Sequence, residues 1–203
     1  MSRIHREVCY HCYRPLSTCM CHCIEPIDTK TQFILLMHPK EFKRTKNGTG
    51  HFTHLSLSHS KLFVGIDFTQ HKEINKILNN THNLCYVLYP SHKSINLNTQ
   101  NIDQKEKNIV IFLIDSTWPC SRAMLRASPN IDCLQKISFT HTKVSNFSFK
   151  EQPKSYCLST IESTHCILEL LNIQNIENIS KKNLNHFLKP FEEMVRYQMK
   201  CVT

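Results

Sequence analysis

At 203 residues and 40% hydrophobic composition, the chain has enough apolar material for one domain with a real core and a small appendage. Its 25 basic and 16 acidic residues leave a net charge of +9, which favours an anionic partner, nucleic acid first. The opening MSRIHREVC has no apolar stretch of the signal-peptide kind and no apolar run is long enough to span a bilayer, which argues against a membrane role and for a cytoplasmic location.

Five of the eleven cysteines fall in the first 23 residues: Cys9, Cys12, Cys19, Cys21 and Cys23. Cytosolic thiols stay reduced, so disulfides do not explain them. The spacing C-x2-C-x6-C-x-C instead puts pairs of soft ligands on tight turns, which suits a tetrahedral zinc ion. Cys9, Cys12, Cys19 and Cys21 are the candidate ligands; Cys23 is spare, and His11 and His22 are near enough in sequence to replace one. The composition changes after about Glu25. Residues 1–25 therefore read as a cysteine-rich zinc-binding motif and 26–203 as the body.

Phe33 to Met37 (FILLM) reads as a strand buried on both faces. Two of the three glycines, Gly48 and Gly50, sit in the KNGTGH segment that follows. That placement predicts a loop with unusual dihedrals or a close backbone approach. It matches neither Walker nor Rossmann spacing. Leu62 to Phe68 reads as another strand, His71 to Asn80 as a short polar helix, and Cys85 to Tyr89 as a strand ending at Pro90-Ser91. Residues Ser94 to Asn108 are polar and read as loop.

Ile109 to Arg126 (IVIFLIDSTWPCSRAMLR) is the stretch around which the chain is organised. The run from Ile109 to Ile114 is wholly apolar and rich in β-branched residues, as a strand covered on both faces requires. It stops at Asp115, and Pro119 suits the first turn of a following helix. An acid and a Trp thus stand at a strand's carboxyl end, where open α/β sheets bind ligands. Lys136 to Thr140 reads as another strand. Tyr156 to Glu162 leads into a helix that Ser159 or Thr160 caps, with Ile161, Leu168 and Leu171 on its buried face. Leu184, Phe187, Leu188, Phe191, Met194, Val195 and Met199 follow at helical spacing, predicting one long amphipathic helix kinked at Pro190. Strands alternating with helices predict an α/β fold with a mostly parallel sheet.

Taken in order, these pieces resemble the DTW-domain family, named for Asp-x-Thr-Trp, here Asp115-Ser116-Thr117-Trp118. Arg122, Met124 and Arg126-Ala127-Ser128-Pro129 also look like family positions. The N-terminal cysteine pattern with Arg14-Pro15 inside it looks like the family's zinc-binding start. Asn47-Gly48-Thr49-Gly50 resembles its Asn-Thr-Gly element with one extra glycine, and Leu88-Tyr89-Pro90 and Ser159-Thr160-Ile161-Glu162 resemble two further motifs. Ser121 stands where alanine is common. The match covers nearly the whole chain.

The resemblance implies a SPOUT-like fold with a C-terminal trefoil knot that holds S-adenosylmethionine. It implies transfer of the 3-amino-3-carboxypropyl group of that cofactor to N3 of a uridine in tRNA, releasing methylthioadenosine. A sulfonium activates its neighbouring carbons, so the protein's task is to aim one of them at the nucleophile. N3 is a poor nucleophile while protonated, and Asp115, emerging beside an apolar wall, is the candidate general base. Trp118 is expected to pack on the cofactor or the base. Thr49, Gly50, Leu88, Tyr89, Pro90, Ser91, Ser159, Thr160 and Glu162 are expected around the cofactor. Arg14, Lys43, Arg44, Arg122 and Arg126 are expected to meet phosphates, which position RNA without reading its sequence. The expected assembly is a monomer acting on tRNA. Two other readings stand beside it: a SPOUT-like RNA methyltransferase, and a zinc-ribbon RNA-binding module without catalysis, against which Asp115 and Trp118 both speak.

Overall fold

The computed structural model describes residues 7–43, 48–104, 106–141 and 158–202. Of the expectations above, those for Arg44, Asn47 and the Tyr156-Cys157 stretch fall outside these residues. Six strands form one sheet: β1 (Gln32–Met37), β2 (Ser60–Val64), β3 (Asn83–Leu88), β4 (Ile95–Asn96), β5 (Asn108–Asp115) and β6 (Gln135–Ser138). Their order is β2-β1-β5-β3-β6-β4, and every neighbouring pair is parallel. The helices are α1 (Pro39–Lys43), α2 (Gly50–Leu55), α3 (Lys72–Leu78), α4 (Trp118–Ala127), α5 (Pro129–Asp132), α6 (Thr160–Ile173), α7 (Lys181–Phe187) and α8 (Lys189–Val202).

The apolar runs sit at the centre because both sheet faces are covered. Alternate residues of a strand point to opposite faces. Phe33, Leu35, Ile109, Ile111 and Leu113 pack with residues of α2, α6, α7 and α8. Ile34, Leu36, Val110 and Phe112 pack on the other face with α3, α4 and α5. Ile109 through Leu113 are each no more than 2% exposed. Burying each such side chain contributes about 1.5–3 kcal/mol before the entropy of ordering it is subtracted. A polar residue at any of these positions would therefore be buried without a partner on one face or the other.

The register sets the functional edge. Met37 pairs with Asp115 and Leu88 with Leu113, so β1, β5 and β3 end together. The His38 amide extends the ladder one step by donating to the Asp115 carbonyl at 3.1 Å. The molecule's main cleft opens at this carboxyl edge.

Three expectations are corrected. The polar stretch Ser94 to Asn108 contains β4, a two-residue strand that pairs with β6 and is too short to show periodicity. The glycine segment is not all loop, because Gly50 begins α2. The long C-terminal helix is two helices that break at Leu188, with Pro190 in the first turn of α8. A proline ring clashes with the carbonyl four residues back and brings no N–H, so the break falls just ahead of it.

Candidate active site and metal site

The metal site assembles from the N-terminal turns. Cys9 N–H donates to the Arg14 carbonyl at 2.7 Å and Tyr13 N–H to the Cys9 carbonyl at 2.8 Å. The tight loop this closes holds Tyr13 in the left-handed region, at φ 57°. It brings Cys9 and Cys12 together, and the short 3-10 turn Cys21–Cys23 presents Cys21. The sulfurs of Cys9, Cys12, Cys19 and Cys21 lie within 4.8 Å of one another. The Cys9–Cys21 and Cys12–Cys19 separations are both 3.8 Å. Four sulfurs at about 2.3 Å from a central zinc stand about 3.8 Å apart, so the cluster has tetrahedral dimensions. The Cys12 amide, aimed at Cys9, holds that thiol down to about 6 against the opposing effect of burial. Burial pushes Cys12 and Cys21 up. These four residues can hold a metal ion, and neither Cys23 nor a histidine joins them among the described residues.

Arg14, expected to meet phosphate, turns inward instead. It is 2% exposed. One guanidinium nitrogen, Nη2, donates to the Gly48 carbonyl at 2.7 Å, and the guanidinium plane lies 3.6 Å over the Phe52 ring. Burial lowers its pKa to about 10, with the neighbouring thiols opposing the shift. A flat, weakly hydrated cation tolerates this placement where a lysine would not. Arg14 therefore ties the cysteine motif to the loop before α2. Lys43, Arg122 and Arg126 are exposed, as phosphate contacts require.

That loop backs the catalytic candidate. No described glycine has positive φ, so the need for Gly50 is close approach rather than dihedral freedom. A β-carbon there would overlap Asp115 Oδ2 and come within 2.7 Å of Met37 Cε. Asp115 itself is 7% exposed. Its Oδ1 accepts a 2.6 Å hydrogen bond from the Thr160 hydroxyl. It does not cap α4; Thr117 holds the N-cap position and Pro119 the first turn.

Thr160 is fixed by the helix it begins. Ser159 is the N-cap of α6, and its N–H and hydroxyl donate to Glu162 Oε2 at 2.9 and 2.6 Å. Both therefore serve as the helix start that the sequence allowed for. Thr49 is 5% exposed, and its carbonyl accepts from the Thr53 hydroxyl at 3.0 Å.

On the other side of Thr160 lies a cleft of about 900 Å³. Leu88, Tyr89, Pro90, Trp118 and Thr160 line it. Trp118 is 40% exposed and meets Tyr89 edge-on, with ring centroids 5.8 Å apart. Ser91 is used differently: with Ser94 it closes a turn, its N–H donating to Ser94 Oγ at 2.6 Å. Thr49, Gly50, Asp115, Ser159 and Glu162 stand behind the wall rather than in it. The sequence reading missed Ser116, Ser121, Phe139 and His141, which also line the cleft. Ser116 and Ser121 hydroxyls lie 2.8 Å apart, and Ser121 Oγ donates to the Thr117 carbonyl at 3.0 Å. Apolar and aromatic walls with a few converging hydroxyls, at the carboxyl edge of a parallel sheet, describe a small-molecule site.

The molecule is thus an α/β protein with a small-molecule cleft at its sheet edge and a cluster of four cysteines able to hold a metal ion. The DTW-domain model matches residues 6–199, and the chain belongs to the DTW-domain family. It is similar to tRNA-uridine aminocarboxypropyltransferase 2 of Drosophila melanogaster, 29% identical over 202 residues, covering 96% of this chain and 76% of the relative. The protein of the same name from Mus musculus is 22% identical, covering 96% of this chain and 64% of the relative. tRNA-uridine aminocarboxypropyltransferase A of Arabidopsis thaliana is 24% identical, covering 96% and 82%. No solved structure matches.

Proposed function

We propose that the protein transfers the 3-amino-3-carboxypropyl group of S-adenosylmethionine to N3 of a uridine in tRNA. The observation that carries this reading is the cleft between Trp118 and Thr160, directly in front of Asp115, in a chain whose relatives bear that activity in their names. The volume falls within the range of small-molecule sites, and its aromatic walls suit a nucleoside. S-adenosylmethionine, when bound, supplies a carbon activated by its sulfonium. Leu88, Tyr89 and Pro90 would flank its adenosine and Trp118 its sulfonium, with Thr160 on the opposite wall and Ser91 at the rim. Thr49, Gly50, Ser159 and Glu162 support the site from behind. Asp115 is the carboxylate that serves as the base of the reaction, and Lys43, Arg122 and Arg126 meet tRNA phosphates.

Residues 1–25 form a structural zinc motif held by Cys9, Cys12, Cys19 and Cys21, and residues 26–203 the catalytic body. The body is SPOUT-like with a C-terminal trefoil knot, a reading supported by an all-parallel sheet whose order departs from chain order. The protein works as a monomer in the cytoplasm; no helix among the described residues is long and apolar enough to cross a membrane, and none of the ten described cysteines is in a disulfide.

The test is product analysis. Wild-type protein with S-adenosylmethionine and unmodified tRNA should release methylthioadenosine and leave a uridine heavier by the aminocarboxypropyl group in nucleoside mass spectrometry. Release of S-adenosylhomocysteine would make it a methyltransferase instead. Neither product, with tRNA still bound, would leave a binding module.

A further inference from the structure

Asp115 is named above as the base, yet it is buried and does not line the cleft, whereas Thr160 does. We propose that Thr160 is itself a catalytic residue: its hydroxyl takes the N3 proton from the bound uridine and passes its own proton to Asp115. This rests on the aminocarboxypropyl-transfer reading and deepens it.

The polarity of the hydrogen bond makes the case. An ionised carboxylate only accepts, so the 2.6 Å contact commits the Thr160 proton to Asp115 Oδ1. The distance is that of a charge-assisted O–H···O⁻ bond. With its proton spent, Thr160 shows only lone pairs to the cleft. A ligand group meeting it must be a donor, and uridine N3–H is one. Asp115 is buried with Gly50 packed close on its Oδ2 side, and the cap formed by Ser159 and Glu162 fixes Thr160 at the first position of α6. Among the described residues, the hydroxyls of Ser116 and Ser121 bond to each other and Ser121 donates to the Thr117 carbonyl, whereas the Thr160 hydroxyl reaches from the cleft to Asp115.

The step balances. N3–H breaks, its proton goes to Thr160 Oγ1, and the Thr160 proton goes to Asp115 Oδ1. The N3 electron pair forms the bond to the donor's aminocarboxypropyl carbon as the carbon–sulfur bond breaks, and the sulfur keeps that pair. One positive and one negative charge are lost together, leaving methylthioadenosine and a neutral Asp115 that later releases its proton to water.

Thr160→Val keeps the shape and removes the hydroxyl; Thr160→Ser keeps the hydroxyl. In single-turnover assays at neutral pH, Thr160→Val should slow transfer by roughly 10²-fold to 10⁴-fold, the span of general-base catalysis. Thr160→Ser should recover most of that loss. The double variant Thr160→Val with Asp115→Asn should be no slower than the worse single variant, because residues acting as one unit are not additive. Raising the pH until uridine itself ionises should shrink the Thr160→Val defect, which damage to the fold would not do. A measurement without substrates reads the same bond: in protein with ¹³C-labelled aspartate carboxyls, the resonance missing from Asp115→Asn should move in Thr160→Val. Active wild type with Thr160→Val within a few-fold of it, or a defect that ignores pH, overturns the relay alone. Wild type that releases no methylthioadenosine overturns the transfer reading and the relay with it.

Discussion

An alanine at position 50 would drive its methyl group into Asp115 Oδ2 and to within 2.7 Å of Met37 Cε. Both neighbours are buried, so relief requires moving a strand end or the carboxylate. Gly50→Ala should lower stability by about 1–3 kcal/mol, as overpacking usually does, and cost activity beyond that by tilting Asp115 away from Thr160. Urea unfolding and a transfer assay check the two parts. Beside it, His51 is 7% exposed against Tyr13 and Phe42, and burial, aided by Arg14, lowers its pKa to about 4. In the unfolded chain it titrates near 6.5. Between those values the unfolded state binds the extra proton, so stability should fall as pH drops from about 6.5 toward about 4. His51→Phe should flatten that part of a Tm-against-pH curve; an unchanged slope would assign it to other groups. Asp115 and Trp118 were legible in the sequence because they share a four-residue motif at a strand end. The partnership of Asp115 with Thr160 was not, since the two are 45 residues apart and meet only through the packing of α6 on the sheet.

Elements divide in the same way. The buried strands could be read directly from apolar runs, because a strand covered on both faces leaves no polar position. Helices α1 and α2 could not: five and six residues hold too few turns for a period, and their glycine and proline read as loop. The cysteine motif was legible down to the four cysteines that cluster, but the role of Arg14 inside it was not, because an arginine reads as surface until its partners are known. Those partners make the motif a brace: Arg14 reaches Gly48, two residues before the Gly50 that backs Asp115. Chelation should therefore do more than unfold a tail. One zinc per chain is expected by elemental analysis, and its removal should lower both Tm and transfer rate together. Arg14→Met should keep the metal but lose the bond to Gly48 and the contact over Phe52, at about 1–3 kcal/mol. A metal-free protein with full Tm and full activity would end the brace argument.

At the scale of the molecule, the cleft must meet a polyanion. Trp118, Arg122 and Arg126 stand four residues apart along α4, and such spacing puts side chains on one helix face. All three are exposed, and Trp118 is the one at the cleft. The stripe therefore runs from the chemistry outward along α4, where the phosphates flanking an inserted uridine would lie. A chain with +9 net charge gains general attraction for tRNA, but a stripe gains register, because phosphate contacts position the backbone. Replacing both arginines with alanine removes two such contacts. The slope of log K against log salt should then shrink by about 1.4–1.8, from about 0.7 per phosphate for single strands to about 0.9 for duplex. S-adenosylmethionine binding should be unchanged, since neither side chain lines the cleft. Trp118→Ala should do the reverse, weakening the donor in calorimetry while leaving the salt slope of tRNA binding near wild type. If instead the arginine variant keeps the wild-type slope, tRNA docks elsewhere and the stripe on α4 is ordinary solvated surface.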